Sequence, residues 1–436
     1  MSRQMALCFT VLMAACPLAL AEKPTVEDLQ KTIQEMGEMM KAQQARIGQL
    51  EDKVNKDLHA EMAKAAREIA ADASNKPSGP TWLENLKFYG DLRLRYQNDS
   101  FNWGASDGSE KKDRNRARFR LRFGIVKTWL DDQLEVGFRL ATGENNDPTS
   151  TNQSMTENFA KKDVWIDLAY ARYAPNALKG FSITGGKMKN PWLMNEIFMD
   201  TDVNPEGFWA EYKFPPVGPL GFFAGAGYFF LQERAGTSDP IHDTVMYGYQ
   251  AGMNWKICKD VKYTVASYFQ DYDHYDTSSA LARGNDSPLT RVPGFAVLGL
   301  TNNVEFKALD LPWQVFFDWA RNCGEKDTTA QYEDDHNAYA MGIKVGQNKK
   351  KGDWSVKYTY AIVQANALPG TFVDATFGFA NRRGHVLGGS YNILDNLTAG
   401  LNIWLTEPIF SPTTTSGSSA FEDKSTAVQA ELIWKF

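Results

Sequence analysis

From Trp82 to the last residue, apolar and polar side chains take turns. Phe88, Leu92, Leu94 and Tyr96 point one way, and Asp91, Arg93 and Arg95 the other. Ala117, Phe119, Leu121, Phe123 and Ile125 oppose Arg114, Arg116, Arg118, Arg120 and Arg122. Leu134, Val136, Phe138 and Leu140 oppose Glu135, Gly137 and Arg139. Val164, Ile166, Leu168 and Tyr170 oppose Trp165, Asp167 and Ala169. The chain closes on Val428, Ala430, Leu432, Trp434 and Phe436 against Gln429, Glu431 and Lys435. A period of two means strands with one apolar and one polar face. Sixteen such strands begin near residues 86, 114, 133, 163, 181, 206, 220, 244, 261, 295, 313, 337, 353, 383, 397 and 426. Most run about nine to fourteen residues, longer than the five or six common in globular sheets. That is the length a tilted strand needs to cross a bilayer.

The connections narrow the choice further. Long ones fall near 98–113, 144–162, 188–205, 233–243, 271–294, 321–336, 366–382 and 407–425. Between them lie short ones at 130–132, 174–180, 215–219, 258–260, 307–312, 347–352 and 394–396. Strict alternation of long and short connections is the pattern of a transmembrane barrel, with long external loops and short periplasmic turns. A bilayer offers the backbone no hydrogen bonds, so a sheet within it must close on itself. Apolar faces then meet lipid and polar faces line a lumen. Trp129, Trp255, Trp313, Trp354 and Trp434 all fall at the short-turn ends, where an interfacial aromatic girdle belongs. The expected fold is an all-β transmembrane barrel of sixteen antiparallel strands over residues 81–436.

Three segments precede the barrel. Residues 1–21 carry Arg3, an apolar run from Met5 to Leu18 and the small-x-small ending Ala19-Leu20-Ala21, which reads as an export signal peptide. From residue 22 to 73 the period lengthens. Val26, Leu29, Ile33, Met36, Met40, Ile47, Leu50 and Val54 form the seam of an α-helical coiled coil, with Gln43 the one polar seam position. Such a helix would span roughly 78 Å, enough to serve as a periplasmic stalk and to reach peptidoglycan. Residues 74–80, with two prolines and a glycine, make a linker. Removing the signal leaves Cys258 and Cys323, one in a short turn and one at the root of a long loop, too far apart to bridge.

Much chemistry is excluded. Beyond the signal, no apolar run approaches a spanning helix. A net charge of −6 argues against a nucleic-acid partner. Gly185-Gly186-Lys187 is followed by Met188, so it is no phosphate loop. The five histidines form no His-Glu-x-x-His pair, and no Gly-x-Ser-x-Gly elbow occurs. Asp271, Asp273 and Asp276 beside His274 read as a solvated loop tip more than a metal site. No enzyme, cofactor or metal is expected.

Certain segments are familiar: Gly90-Asp91-Leu92-Arg93-Leu94-Arg95-Tyr96, Arg114-Asn115-Arg116-Ala117-Arg118-Phe119-Arg120-Leu121-Arg122-Phe123-Gly124, and Glu135-Val136-Gly137-Phe138-Arg139-Leu140-Ala141-Thr142-Gly143. So are Asp147-Pro148-Thr149-Ser150-Thr151-Asn152-Gln153 and Asn204-Pro205-Glu206-Gly207. Together they resemble a porin family of Gram-negative bacteria whose members often carry an N-terminal helical segment. The resemblance is clearest over 88–215. It implies an outer-membrane porin among lipid and lipopolysaccharide, and it carries no substrate or functional residues. The terminal aromatic Phe436 resembles the signal read by the barrel assembly machinery. More distantly, the layout is similar to general porins, which are homotrimers and whose loop after the fifth strand folds inward.

Eight arginines are expected to line the pore: Arg93, Arg95, Arg114, Arg116, Arg118, Arg120, Arg122 and Arg139. Arginine keeps its charge at any working pH, so the column needs counter-charge. If loop 188–205 folds inward as in general porins, its acids Glu196, Asp200 and Asp202, with Glu206 just after, would face that column. The resulting transverse field would pass water, ions and small hydrophilic solutes. Other readings stay open. The arginines could sit at the rim against lipopolysaccharide, or pair with wall carboxylates such as Asp91, Glu135 and Asp167. They could also form an anion-selective ladder. A structural tether to peptidoglycan is a further alternative.

Overall fold

The computed structural model describes Glu38, Lys41, Ala45, Arg46, Gly48 and residues 83–436, apart from 104–109, 145–146, 234–241, 276–282, 286–293, 325–334 and 411–423. The five earlier residues are helical and exposed. The export signal, the linker and the seam residues Val26, Leu29, Ile33, Met36, Met40, Ile47, Leu50 and Val54 lie outside the described residues.

Besides a short 3₁₀ helix, Gly370–Phe372, the rest of the described chain contains seventeen strands. They are β1 (Leu86–Trp103), β2 (Glu110–Trp129), β3 (Leu134–Thr142), β4 (Gln153–Ser154), β5 (Val164–Tyr173) and β6 (Phe181–Lys187). Next come β7 (Glu206–Lys213), β8 (Leu220–Gln232), β9 (Thr244–Cys258), β10 (Val261–Asp273), β11 (Phe295–Ala308) and β12 (Leu311–Asn322). The last are β13 (Asn337–Gly346), β14 (Trp354–Val363), β15 (Arg382–Leu394), β16 (Leu397–Pro408) and β17 (Ser425–Lys435). Sixteen of them form the wall of a closed antiparallel barrel, each paired with its neighbours in sequence. Closure is made by β1 against β17, from Asp91 opposite Lys435 to Phe101 opposite Ser425. The two-residue β4 pairs with β2 where the shorter β3 has ended. The strand starts read from the alternation hold to within a few residues. The first long connection is shorter than expected, because β1 and β2 run on to Trp103 and Glu110.

The wall is uneven. Strand β2 has twenty residues, whereas β6 has seven and β7 eight. Short turns rest on left-handed residues, such as Leu309 and Asp310 with φ of 52° and 61°. Two positive φ values in a two-residue hairpin match the right-handed twist of the flanking strands. Trp129, Trp255 and Trp354 are exposed on the outer surface near these turns.

Two expectations about facing are corrected. In β5 the alternation slips: Arg139 is opposite Leu168 and Leu140 opposite Ile166, so Asp167 is an extra, bulged residue. A bulge re-aims the side chains beyond it. Asp167 and Leu168 are therefore both buried, and Tyr170 donates from its hydroxyl to Glu135 at 2.8 Å. Val164 and Ile166 remain exposed on the outside.

The second correction concerns the lumen, which is not uniformly polar. Val297, Ala320, Ala338, Ala340, Ala361 and Val363 face inward from β11–β14 and are fully buried. They form one apolar cluster with Met188, Trp192, Ile197, Phe198, Met199 and Val203 of loop 188–205 and with Ala367, Leu368, Val373 and Phe377 of loop 364–381. Both loops fold into the barrel and pack against one side of it. Small inward residues leave the room that the loop side chains fill.

Candidate pore

The side left open is polar. A cavity of about 990 Å³ has a lining that runs from Asp113 and Arg114, at the long-loop end of β2, to Asn348 and Lys435 at the short-turn end. The β1–β2 register builds one wall. It sets Asp91 opposite Arg122, Arg93 opposite Arg120, Arg95 opposite Arg118, Gln97 opposite Arg116 and Asp99 opposite Arg114. Successive inward residues on paired strands stack as rungs, so guanidiniums meet side by side at two rungs. Carboxylates relieve the repulsion. Arg120 and Arg122 both reach Asp91 at 2.7 Å, and Arg116 reaches Asp99 at 2.6 Å. Arg95 reaches Glu431 of β17 at 2.7 Å, with Arg93 at 3.8 Å from the same carboxylate.

Six of the eight expected arginines line this cavity: Arg93, Arg95, Arg114, Arg116, Arg118 and Arg120. Arg122 lies behind it, bound to Asp91 and 3.8 Å from Asp202. Arg139 belongs elsewhere, paired at 2.5 Å with the bulged Asp167, which also accepts from Asn204. Arg118 stands apart from its neighbours. It donates to Gln97 Oε1 (3.2 Å), Ser150 Oγ (3.3 Å) and the Asn152 carbonyl (3.1 Å), and makes no ion pair among the described residues. Arg114 is exposed.

Loop 188–205 supplies the facing acids. Asp202 lies 4.0 Å from Arg120 and accepts from the Thr151 hydroxyl and amide. Burial pushes its carboxyl up, but Arg120, Arg93 and Arg122 outweigh that and hold it below the usual carboxylate range. Glu196 pairs with Lys357 of β14 at 2.6 Å. Asp200 lines the same cavity, and its carboxyl is pushed well up, first by burial and then by Asp374. Glu206 is not part of this group. It is exposed, binds Lys187 at 2.8 Å and borders a separate cavity at the low wall.

Sequence reasoning missed the second loop. Asp374, on loop 364–381, also lines the cavity, and its carboxyl is pushed up to about 6 by burial. The alternation places Glu431 inward, but its pairing with Arg95 depends on barrel closure. Cys258 and Cys323 are both free and exposed, at opposite ends of the wall.

Comparison with known proteins agrees with this architecture. The family model described as "Putative porin" matches residues 18–111, 108–287 and 295–422. No curated protein matches. Among solved structures the fold is similar to that of OprB from Pseudomonas putida, solved at high pH. The two are 13% identical, with 81% of this chain and 94% of that chain covered and a TM-score of 0.50. Salmonella typhi OmpF, in complex with daunomycin, is 13% identical over 80% of this chain and 97% of its own, with a TM-score of 0.48. A mutant of the Rh. blastica porin is 11% identical over 80% and 100%, at 0.41.

Proposed function

The chain belongs to the putative porin family and is a channel rather than an enzyme, and we propose that it is a general outer-membrane porin passing small hydrophilic solutes and ions by passive diffusion. The observation that carries this reading is the polar cavity, whose lining extends from one end of the barrel to the other. Its arginine wall faces Glu196, Asp200 and Asp202, so a transverse field crosses the path. Such a field orients dipolar solutes without requiring a particular one. Six of the eight arginines have a carboxylate within 4.0 Å, which favours this reading over an anion-selective ladder. Proteoliposome swelling tests it. Neutral and charged solutes should enter at rates that fall with size; uptake confined to anions would replace the general porin with the selective channel.

The assembly reading is a homotrimer in outer-membrane lipid and lipopolysaccharide. Strands β6 and β7, of seven and eight residues, fall short of the roughly 9–11 that cross hydrocarbon. A face this low suits contact with neighbouring copies better than contact with lipid. Residues 22–73 would form a periplasmic coiled coil and could touch peptidoglycan. Phe436 would serve the assembly machinery. Its backbone already bonds to Gly90 in both directions, at 2.9 and 3.1 Å.

A further inference from the structure

Two loops, not one, close on the arginine wall, and a pair of aspartates sits at their seam. The Asp200 N–H donates to the Phe372 carbonyl at 2.8 Å, and the Asp374 N–H donates to the Ile197 carbonyl at 3.1 Å. The bonds that join the loops are thus made by the two aspartates' own backbones, which holds their side chains in one place. Each carboxyl spends one oxygen on its own loop. Asp200 Oδ1 accepts from the Asp202 N–H at 2.8 Å. Asp374 Oδ1 accepts from the N–H groups of Thr376 (2.7 Å) and Phe377 (3.2 Å). Both residues line the polar cavity, and neither makes an ion pair among the described residues.

The other acids of loop 188–205 already have partners. Asp202, on the same loop, is matched by Arg120 and Arg122 of β2 and by Arg93 of β1. Glu196 is matched by Lys357 of β14. Arg382 of β15 and Trp404 of β16 line the same cavity, and Arg382 donates to Ser425 at 2.7 Å. No histidine is among the lining residues.

We propose that Asp200 and Asp374 act as one acid pair that sets the charge preference of the passage. The inference rests on the porin reading and deepens it. Two half-buried carboxyls held together cannot both ionise cheaply, so the pair keeps a proton to higher pH than an isolated acid would. Burial pushes both upward, Asp374 to about 6, and Asp200 is raised further by its neighbour. In mildly acidic solution the pair is largely protonated, and the lining cations without an ion pair among the described residues, Arg114, Arg118, Lys344 and Lys435, dominate. Toward neutral pH the pair gains negative charge and the passage turns toward cations. Because both carboxyls keep their Oδ1 bonds in either state, the change is in selectivity, without any movement of the loops.

The test uses the purified full chain in a planar bilayer under a tenfold potassium chloride gradient. Reversal potential is read at about pH 5 and about pH 8, either side of the titration. The wild type should move toward cation preference on raising the pH. Asp374→Asn and Asp200→Asn each keep the Oδ1 acceptor, and each should lose at least half of that movement. Asp310→Asn, in an exposed turn outside the passage, should keep all of it. The heat-dependent gel mobility of folded barrels identifies folded variants, and either aspartate variant alone decides the matter. Stepwise conductance with a reversal potential that ignores pH, or an unchanged pH response in the aspartate variants, would overturn the acid pair and leave the porin standing. No conductance in any variant would overturn the porin reading itself.

Discussion

Arg118 and Arg120 sit two residues apart on one face of β2, yet their surroundings differ. Arg120 is buried and shares Asp91 with Arg122, whereas Arg118 has only neutral acceptors. Replacing Arg120 by Ala leaves Asp202 under-compensated and should cost about 2 kcal/mol or more in chemical unfolding. Arg118→Ala should leave unfolding nearly unchanged and shift the reversal potential toward cations. Asp374 has a stability signature of its own. Its native carboxyl lies above the ordinary value, at about 6, so the folded state favours the proton. Stability from this site is greatest below the unfolded value and declines as pH rises through about 6. Asp374→Asn keeps the acceptor oxygen, and should gain on the order of 1–3 kcal/mol over the wild type at neutral pH and nothing at low pH. Thermal unfolding at both pH values would read the difference. The arginines of β2 were legible because every second residue from 114 to 122 is one. The partners of the wall arginines were only partly so, since Glu431 reaches Arg95 through barrel closure, across 336 positions.

Among the elements, strands were easier to read than the loops and the facing of individual strands. Long apolar-polar alternation leaves one register, so the strand starts came directly from it. The bulge at Asp167 is invisible in composition, because one inserted residue looks like a continuing pattern until pairing is known. The apolar half of the lumen did leave a trace. Segments such as Phe295–Leu300 and Ala338–Ile343 are apolar or small on both faces, which a strand between lipid and water has no reason to be. That trace names the side on which the inward loops pack. Phe198, on loop 188–205, is buried in this cluster at 2% exposure. Phe198→Ala should cost roughly 3–5 kcal/mol at the packing site. Bilayer recordings should then show larger and noisier conductance steps, as the loop loses its hold on β11–β14. Steps of unchanged size and noise would mean that the main-chain bonds alone keep the loop in place.

At the scale of the whole barrel, the lumen is divided into a packed apolar half and an open polar half. Assembly is expected to use the low wall at β6 and β7. The loop leading into β5, the strand paired with β6, carries Phe159, fully exposed at 104%. Phe159→Ser should weaken trimers on native gels while each barrel still conducts, and trimers of undiminished stability would exclude this loop from the contact. The division of the lumen is tested most directly by cysteine accessibility during single-channel recording. Cys258 and Cys323 are first replaced by serine, and one cysteine is then placed at Arg118 or at Ala340. A charged, water-soluble thiol reagent should change the conductance at once for Arg118→Cys and leave Ala340→Cys untouched. Modification at Ala340 with a matching change in current, or none at Arg118, would contradict a passage that follows the arginine wall.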